Sequence, residues 1–309
     1  MKRINGIYVI GVDHGYGNMK TANCCFPTGV MKSDTEPTFV SDLLIWNDKY
    51  YSIGVGHKEF TADKFNDEDY YVLTLAAIAR ELKREQITEA EVYIAAGLPL
   101  TWVGEQKEEF KEYLLQHNEV SFTFRNKDYR IKIVGAEIYP QGFAAIVNNL
   151  PSFTGVNMLC DIGNGTMNIM FVNDKKPNPA NCYTEKFGTH KCMLEVQENL
   201  MRIHHTEPPE EMITRVLRFG TADIDGDYLK TITETTKEYV KGIFRRLRKH
   251  GYDPKLMKLY VVGGGGCLIR NFADCDESRV TINDDICATA KGYERMLEMK
   301  LLRSGGRQV

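Results

Sequence analysis

The sequence has no run of about 18 apolar residues, the length that a membrane-spanning helix needs. Lys2 and Arg3 stand near its start, but Asp13 interrupts the apolar stretch that follows, so the pattern is not that of a secretion signal. These absences predict a cytoplasmic protein with no membrane partner.

An excess of charge of one sign is also missing. The chain has 39 Lys and Arg residues against 42 Asp and Glu residues, which gives a net charge of -3 at pH 7. The pI is about 6.2. Proteins that bind nucleic acid or acidic membranes through their net charge are usually strongly basic. We therefore expect no direct DNA binding.

The eight cysteines contain no C-x-x-C pair. Cys24 and Cys25 are adjacent, a spacing that suits neither a zinc site nor a structural disulfide. We expect no structural zinc, and we expect most of the other cysteines to be buried as small apolar side chains.

The length and the overall composition are those of an ordinary globular protein. The chain has 309 residues, enough for two domains with sizeable cores, and it is 43% hydrophobic and 26% charged.

A predicted buried strand near the N-terminus runs into a glycine-rich turn. Ile7–Val12 is largely β-branched and apolar, and it is followed by Asp13, Gly15 and Gly17. Glycine allows the backbone N–H groups of a turn to approach an anion closely, and Lys20 adds a positive charge. A single turn of this kind is also typical of α/β proteins that bind no ligand.

The pattern occurs a second time. Asp13–Met19 and Asp161–Met167 both have the sequence Asp-x-Gly-x-Gly-x-Met, and each follows an apolar run. The repetition predicts two similar α/β halves, each ending a buried strand in an acidic turn. Two such turns are able to grip one polyphosphate and its metal ion. The alternative is that both aspartates only cap loops.

Strands and helices alternate along both halves. Leu150–Gly155 is rich in turn residues and predicts a domain boundary.

A third glycine-rich stretch, Gly263–Gly266, follows the apolar run Leu259–Val262. Strands are predicted at 21–27, 38–40, 43–46, 50–54, 92–96, 120–124, 129–134 and 169–172, and helices at about 70–84, 103–116, 189–203, 209–219, 227–249 and 285–302, before a polar tail at 304–309.

These strand–turn motifs resemble the nucleotide-binding elements of the superfamily of actin, DnaK-type chaperones and sugar kinases. Asp13–Lys20 is similar to the first phosphate motif, Asp161–Asn168 to the second, and Leu259–Gly266 to the adenosine motif. Ala288–Gly292 and Tyr139–Gly142 resemble the two segments that connect the domains.

Within that superfamily, the details resemble the ParM-type bacterial actin-like plasmid-segregation proteins. The similarity lies in Asp13–Lys20, in Gly97-Leu98-Pro99 after a strand, and in Asp161–Thr166. The resemblance implies an α/β, duplicated actin-like (ribonuclease-H-like) two-domain ATPase fold with a nucleotide cleft between the domains. Domain I then comprises 1–151 plus 286–309, and domain II comprises 152–285.

The resemblance implies ATP or ADP and Mg²⁺ as cofactors. Asp13 and Asp161 are the expected metal residues, acting largely through water, and with Gln141 they are the expected catalytic residues. The expected nucleotide-binding residues lie in or near the three glycine-rich stretches: Gly15, Tyr16, Gly17, Asn18, Lys20, Gly163, Asn164, Gly165, Thr166, Gly188, Gly263, Gly264 and Gly265.

Two positions depart from the family pattern. Tyr16 stands where actin has a hydroxyl that meets the γ-phosphate, so a backbone N–H takes that role here. Gln141 stands where some ParM proteins have Glu, and it is expected to orient the attacking water. Glu137, four residues earlier, is the alternative candidate for that role.

The implied function is Mg²⁺-dependent ATP hydrolysis coupled to polymerisation into filaments. Plasmid DNA would be moved through a separate DNA-binding adaptor of ParR type bound at a centromere-like site. Two alternatives stay open: a small-molecule kinase of the same superfamily, and a nucleotide-dependent scaffold that does not polymerise. The motifs do not distinguish ATP from GTP.

Two other stretches have charged patterns. Asp223–Glu234 places carboxylates at four positions of a Ca²⁺ loop, but Tyr228 occupies the position that must be glycine, so we interpret the stretch as a helix cap. Six basic residues between Lys241 and His250 end one predicted helix, where cations suit the helix dipole; a DNA or polymer contact is the alternative.

Overall fold

The structure is a computed structural model that describes residues 1–56 and 68–305. Its described part contains two β-sheets and eight α-helices. None of these helices combines the length and the apolar character needed to cross a membrane. The chain forms two compact units: Met1–Asn148 with Cys287–Val309, and Asn149–Ile286. The domain bounds expected from the sequence remain a prediction.

The first unit is built on one mixed sheet. Its strands are β1 (Lys2–Ile4), β2 (Ile7–His14), β3 (Asn18–Lys20), β4 (Cys25–Pro27), β5 (Val30–Ser33), β6 (Leu43–Trp46), β7 (Lys49–Ile53), β8 (Glu89–Leu98), β9 (Glu119–Phe124) and β10 (Lys127–Pro140). Their order is β4-β3-β2-β8-β10-β9-β6-β7-β5, with β1 paired to β2. The central strands β2, β8 and β10 are parallel, so their carboxyl ends lie at one edge.

Helices cover both faces of this sheet: α1 (Asp69–Arg84), α2 (Val103–Leu114), α3 (Phe143–Ile146) and α8 (Ala288–Gly305). Ile10 and Val12 of β2 lie in the core that includes α1 and α2. Val9, on the other face of the strand, lies in a second core with Tyr293 and Leu297 of α8. Burial on both faces explains why β2 is a nearly continuous apolar run.

The second unit has a five-stranded sheet and four helices. Its elements are β11 (Val156–Ile162), β12 (Met167–Asn173), β13 (Lys176–Glu185), α4 (Thr189–His204), α5 (Glu210–Phe219), α6 (Gly226–Lys249), β14 (Lys258–Val262), α7 (Gly266–Phe272) and β15 (Val280–Ile282). The order is β13-β12-β11-β14-β15. Strands β11, β14 and β15 are parallel, and α4, α5, α6 and α7 contribute to the core against them. A 3₁₀ helix, Val147–Ser152, ends the first unit and begins the second.

Several predicted elements need correction. The strand expected over 21–27 is broken, because the Thr21 N–H donates to the Cys24 carbonyl in a tight turn (2.8 Å) and only Cys25–Pro27 is extended. The strand expected over 38–40 is a turn, with Phe39 at φ +65°. The last helix begins at Ala288 and not at Asp285.

Two further expectations differ in part. Only Cys160 and Cys192 are buried; the other six cysteines are partly or fully exposed. The predicted polar tail begins inside α8, which continues to Gly305, and 306–309 lie outside the described residues.

Candidate functional site

Three predicted residues of the first unit meet at the end of β2. Asp13 is 6% exposed. Its Oδ2 accepts a hydrogen bond from Lys20 Nζ at 3.0 Å, and its Oδ1 accepts one from Gln141 Nε2 at 3.3 Å. The carboxylate is thereby held by one cation and one amide, which fixes the direction of both oxygens.

The sheet explains why Gln141 lies there. Strand β10 ends at Pro140, and the Gln141 N–H then donates to the carbonyl of Leu98 at the end of β8 (2.8 Å). Because β2, β8 and β10 are parallel neighbours, the residue after β10 lies at the same edge as the last residues of β2.

Glu137, the alternative to Gln141, has other partners. Its carboxylate is 9% exposed and pairs with Lys107 Nζ at 3.2 Å and with Lys300 Nζ. Burial raises the pKa of Glu137, but the hydrogen bonds and charges of the two lysines outweigh burial and leave this pKa below its ordinary value. The geometry therefore favours a structural ion pair at Glu137.

Thr28, a residue that no sequence motif indicated, holds the first glycine-rich turn in place through two hydrogen bonds. Thr28 donates its hydroxyl to the Gly15 carbonyl at 2.7 Å and its backbone N–H to the Gly17 carbonyl at 3.1 Å. Because the peptide group is planar and trans, the N–H of the next residue points in the direction opposite to the carbonyl. The N–H groups of Tyr16 and Asn18 are therefore directed away from Thr28.

Gly15 fits this turn because a Cβ at that position would lie 2.4 Å from the Asn18 carbonyl oxygen. Tyr16 is half-buried, and burial raises the pKa of its phenol well above the ordinary value. Tyr16 is thus neutral at physiological pH and brings no negative charge to the turn.

In the second unit, Asp161 and the third glycine stretch lie together. Asp161 is the penultimate residue of β11, is 9% exposed, and pairs in register with Val262 at the end of β14. Gly263 follows at φ +86°, where a Cβ would lie 2.5 Å from Asp161 Oδ1. Only glycine fits between the chain and the carboxylate at this point.

The second glycine turn lies on the N-terminus of α4. The Gly163 N–H closes the turn onto the Thr166 carbonyl at 2.9 Å. The carbonyls of Gly163 and Asn164 accept the N–H groups of Thr189 and His190, both at 3.0 Å. By peptide planarity, the N–H groups of Asn164 and Gly165 point away from α4.

Gly188 lies against this turn as the residue before α4. A Cβ there would lie 2.1 Å from the Asn164 carbonyl oxygen, and the Gly188 carbonyl accepts the Tyr239 hydroxyl at 2.7 Å. Gly265 packs on Ile162 and Thr189, whereas a Cβ added at Gly264 would have no atom of the protein within 4 Å. The backbone at Gly264 is accordingly open to a ligand.

Each unit thus presents one buried carboxylate beside a glycine turn, and carboxylate oxygens are the protein ligands that Mg²⁺ prefers. Over residues 1–56 and 68–305, no group of three or more His, Cys, Asp or Glu side chains is placed to hold a metal ion. Each carboxylate by itself fits an ion that takes few protein ligands and completes its shell with water and phosphate oxygens.

The two charged stretches are involved in local contacts. The Asp225 side chain caps α6 by accepting the Asp227 N–H at 2.9 Å, which confirms the predicted cap. In the basic stretch, the Arg246 guanidinium lies 3.5 Å from the centre of the Phe187 ring. His250 Nε2 hydrogen-bonds Glu185 at 2.7 Å.

A family model matches part of the first unit. Residues 11–143 match the family described as actin like proteins, N terminal domain. No curated protein matches the sequence.

Solved structures match nearly the whole chain. An archaeal actin homolog, Ta0583, in complex with ADP is 18% identical with a TM-score of 0.75, over 95% of this chain and 100% of that chain. Bacillus thuringiensis ParM with ATP is 15% identical with a TM-score of 0.71, over 96% and 100%. A filament structure of Alp12 is 17% identical with a TM-score of 0.68, over 96% and 100%.

The chain therefore has the actin-like fold, and the α/β fold class expected from its motifs is confirmed. Its N-terminal part matches the actin-like family, and its structural neighbours include ParM proteins, so the resemblance to the ParM type is confirmed at the level of the fold.

Proposed function

We propose that the protein is a cytoplasmic, Mg²⁺-dependent ATPase that polymerises into nucleotide-dependent filaments for plasmid DNA segregation. Its proposed partners are further copies of itself and a DNA-binding adaptor of ParR type at a centromere-like site. Direct DNA binding and membrane binding are not part of the proposal.

The repeated turn carries the proposal. In each unit a buried aspartate precedes a glycine turn, and the carbonyls of that turn are held by neighbouring donors: Thr28 in the first unit and the N-terminus of α4 in the second. Backbone N–H groups are left directed the other way, as an anion-binding turn requires. The neighbours solved with ADP, with ATP and as a filament support the same interpretation.

Each group then has a distinct task. The turn N–H groups and Lys20 bind the β- and γ-phosphates, and Gly263, Gly264 and Gly265 let the backbone lie beside the nucleoside. Asp13 and Asp161 would hold Mg²⁺, which neutralises phosphate charge when it is bound. Gln141 orients the attacking water and acts by positioning it.

Sedimentation and phosphate release, measured with ATP, with ADP and without nucleotide, test this function. We expect pelletable polymer and phosphate release with ATP and Mg²⁺. Asp161→Ala should remove hydrolysis while the circular dichroism spectrum stays that of the wild type; surviving hydrolysis would contradict the metal assignment.

The same experiment separates the alternatives. Turnover that requires an added small-molecule acceptor and leaves the protein monomeric would indicate a kinase. ATP binding without turnover or polymer would indicate a scaffold.

A further inference from the structure

Cys287 lies against a turn of the first unit that contains two further cysteines. It is the residue at which the chain re-enters the first unit, and it directly precedes α8. Its thiol donates a hydrogen bond to the Cys24 carbonyl, with 3.8 Å between the sulfur and the oxygen. Cys25, the first residue of β4, follows Cys24 directly. The fold thus brings Cys287 beside an adjacent pair of cysteines that is distant in sequence.

The strand register tells which cysteine of the adjacent pair faces α8. Asp13 pairs with Lys20, and Lys20 pairs with Cys25. Directly paired residues lie on one face of a sheet, and so do residues two apart along a strand. Gly11 therefore shares this face, and its N–H donates to the Glu294 side chain of α8 at 3.1 Å. The Cys25 side chain accordingly projects from the face of the sheet that α8 covers.

The neighbours of Cys25 are turned toward α1 on the other face. Arg80 of α1 stacks on the Phe26 ring, with its guanidinium carbon 4.4 Å from the ring centre. Burial, followed by the negative charge of Glu81 on α1, raises the pKa of the Cys24 thiol. A raised pKa leaves less of the reactive thiolate. Cys24 is therefore a poorer partner for Cys287 than Cys25 is.

The distance between Cys25 and Cys287 suits a disulfide. The Cys24 carbonyl and the Cα of Cys25 belong to one planar peptide group, so the Cys287 sulfur lies at most about 7 Å from that Cα. Disulfide-bonded cysteines usually have Cα atoms about 4.4–6.8 Å apart. Strand β4 is at the end of the strand order of its sheet. Rotation of the two side chains and a small shift of this edge strand bring the sulfurs together.

We infer that Cys25 and Cys287 form a reversible disulfide by exchange with a low-molecular-weight disulfide. Cys25 is exposed, so its thiolate attacks one sulfur of that molecule, forms a mixed disulfide and releases one small thiolate. The Cys287 thiolate then attacks the Cys25 sulfur and releases the second small thiolate. Two protein thiols are oxidised, the small disulfide is reduced to two thiols, and the two protons pass from the protein to those thiols.

The disulfide would act on the glycine turn of the first unit, and this effect rests on the proposed function. Lys20, whose Nζ donates to Asp13 at 3.0 Å, is the register partner of Cys25. Thr28 follows β4 and holds the carbonyls of the turn. A shift of β4 toward α8 displaces both Lys20 and Thr28. We therefore expect the oxidised protein to bind ATP more weakly.

Peptide mapping by mass spectrometry without reduction tests the pair, with oxidised glutathione as the probe. We expect a link between the peptides of Cys25 and Cys287 that dithiothreitol removes. Cys25→Ser and Cys287→Ser should each abolish this link. Cys24→Ser is the matched control, because it changes the adjacent thiol and should leave the link as in the wild type.

Calorimetry with ATP before and after oxidation tests the effect. Oxidation should weaken ATP binding by the wild type and by Cys24→Ser about tenfold, and dithiothreitol should restore it. Reduced Cys25→Ser should bind ATP like the reduced wild type. Oxidation should leave its affinity unchanged, because it lacks one of the two sulfurs.

The outcomes separate this inference from the proposed function. Glutathione that stays attached to Cys25, a link from Cys24 to Cys287, or a linked protein that binds ATP as tightly as the reduced one would each overturn the inference and leave the proposed function standing. Reduced wild type that binds no ATP would contradict the proposed function and the effect on ATP together, whereas the peptide map would still confirm or exclude the disulfide.

Discussion

Asp13 accepts hydrogen bonds from two side chains that come from different parts of the sequence, Lys20 in the next strand and Gln141 after β10. The tasks of these residues can be separated by substitution. The structure also distinguishes Gln141 from Glu137, because Gln141 contacts Asp13 whereas Glu137 pairs with Lys107 and Lys300.

Gln141→Ala should lower ATP turnover about 10²-fold or more, because a water left unoriented attacks slowly. Nucleotide affinity, measured by fluorescence or calorimetry, should change little, since Gln141 is proposed to act on water. Unchanged turnover would show that another group positions the water.

Glu137 gives a prediction for pH. The lysines keep the pKa of Glu137 below its ordinary value of 4.5 although burial raises it. The ionised group therefore stabilises the fold fully above that ordinary value, and the stabilisation is lost as pH falls through the lower, folded-state pKa. Urea unfolding between pH 7 and pH 3 should show a loss of stability in Glu137→Gln at neutral pH, with a smaller further loss on acidification than in the wild type. Parallel pH curves would contradict the ion pair.

Gly263→Ala and Gly264→Ala are a matched pair. Alanine at 263 is strained by φ +86° and meets the Asp161 carboxylate, so we expect a lower melting temperature, from a cost of about 1 kcal/mol or more, and weaker nucleotide binding. The Cβ of an alanine at 264 would have no atom of the protein within 4 Å. The melting temperature of the Gly264→Ala protein without nucleotide should therefore be unchanged, while nucleotide binding weakens. Equal thermal stability of the two variants would contradict this local geometry.

Among the elements, those with a strong apolar period were predictable. Helix α1 and strands β2, β11 and β14 lie where the sequence predicts them, because their apolar residues are buried on the faces that the pattern indicates. Strand β13 was missed since Pro177 and Pro179 argue against a strand. Among the strands that the structure describes it pairs with β12 alone, at an edge where proline is tolerated.

The candidate site was likewise predictable only in part. The aspartates and glycines are recognisable by their repeated spacing, and the structure brings Asp13 to Lys20 and Gln141, and Asp161 to Gly263. Thr28 could not be predicted, since its role depends on the pairing of β3 with β4, which places it beside the turn. The exposed Phe39 was missed for a related reason: residues 38–40 are Thr, Phe and Val, which all favour strands, and they resemble a strand unless the backbone is seen to turn.

Thr28 connects an element to the site, because it holds the turn between β2 and β3. Thr28→Val removes the hydroxyl and leaves the Gly15 carbonyl without that bond, which should lower the free energy of unfolding by about 1–3 kcal/mol. We expect nucleotide affinity to fall about tenfold as the turn loosens. Thr28→Ser keeps the hydroxyl and should recover most of the affinity; failure of the serine variant to do so would assign the effect to packing.

Duplication is the feature of the molecule that the sequence and the structure share. In each unit one of the parallel central strands, β2 or β11, has an aspartate as its penultimate residue and leads into a glycine turn, and neighbouring donors hold the carbonyls of that turn. This similarity was readable because the two turns have the same spacing. Which apolar side chains stay exposed was not readable from the sequence, because exposure depends on the packing of the folded unit.

We propose that the ATP-bound protein assembles and that hydrolysis weakens the contacts between copies, so that the polymer comes apart. Light scattering and phosphate release, recorded together after a limiting amount of ATP is added with Mg²⁺, test this proposal. We predict that scattering rises at once, that phosphate release follows, and that scattering decays when ATP is exhausted. Phosphate release at a steady rate without any rise in scattering would contradict the account.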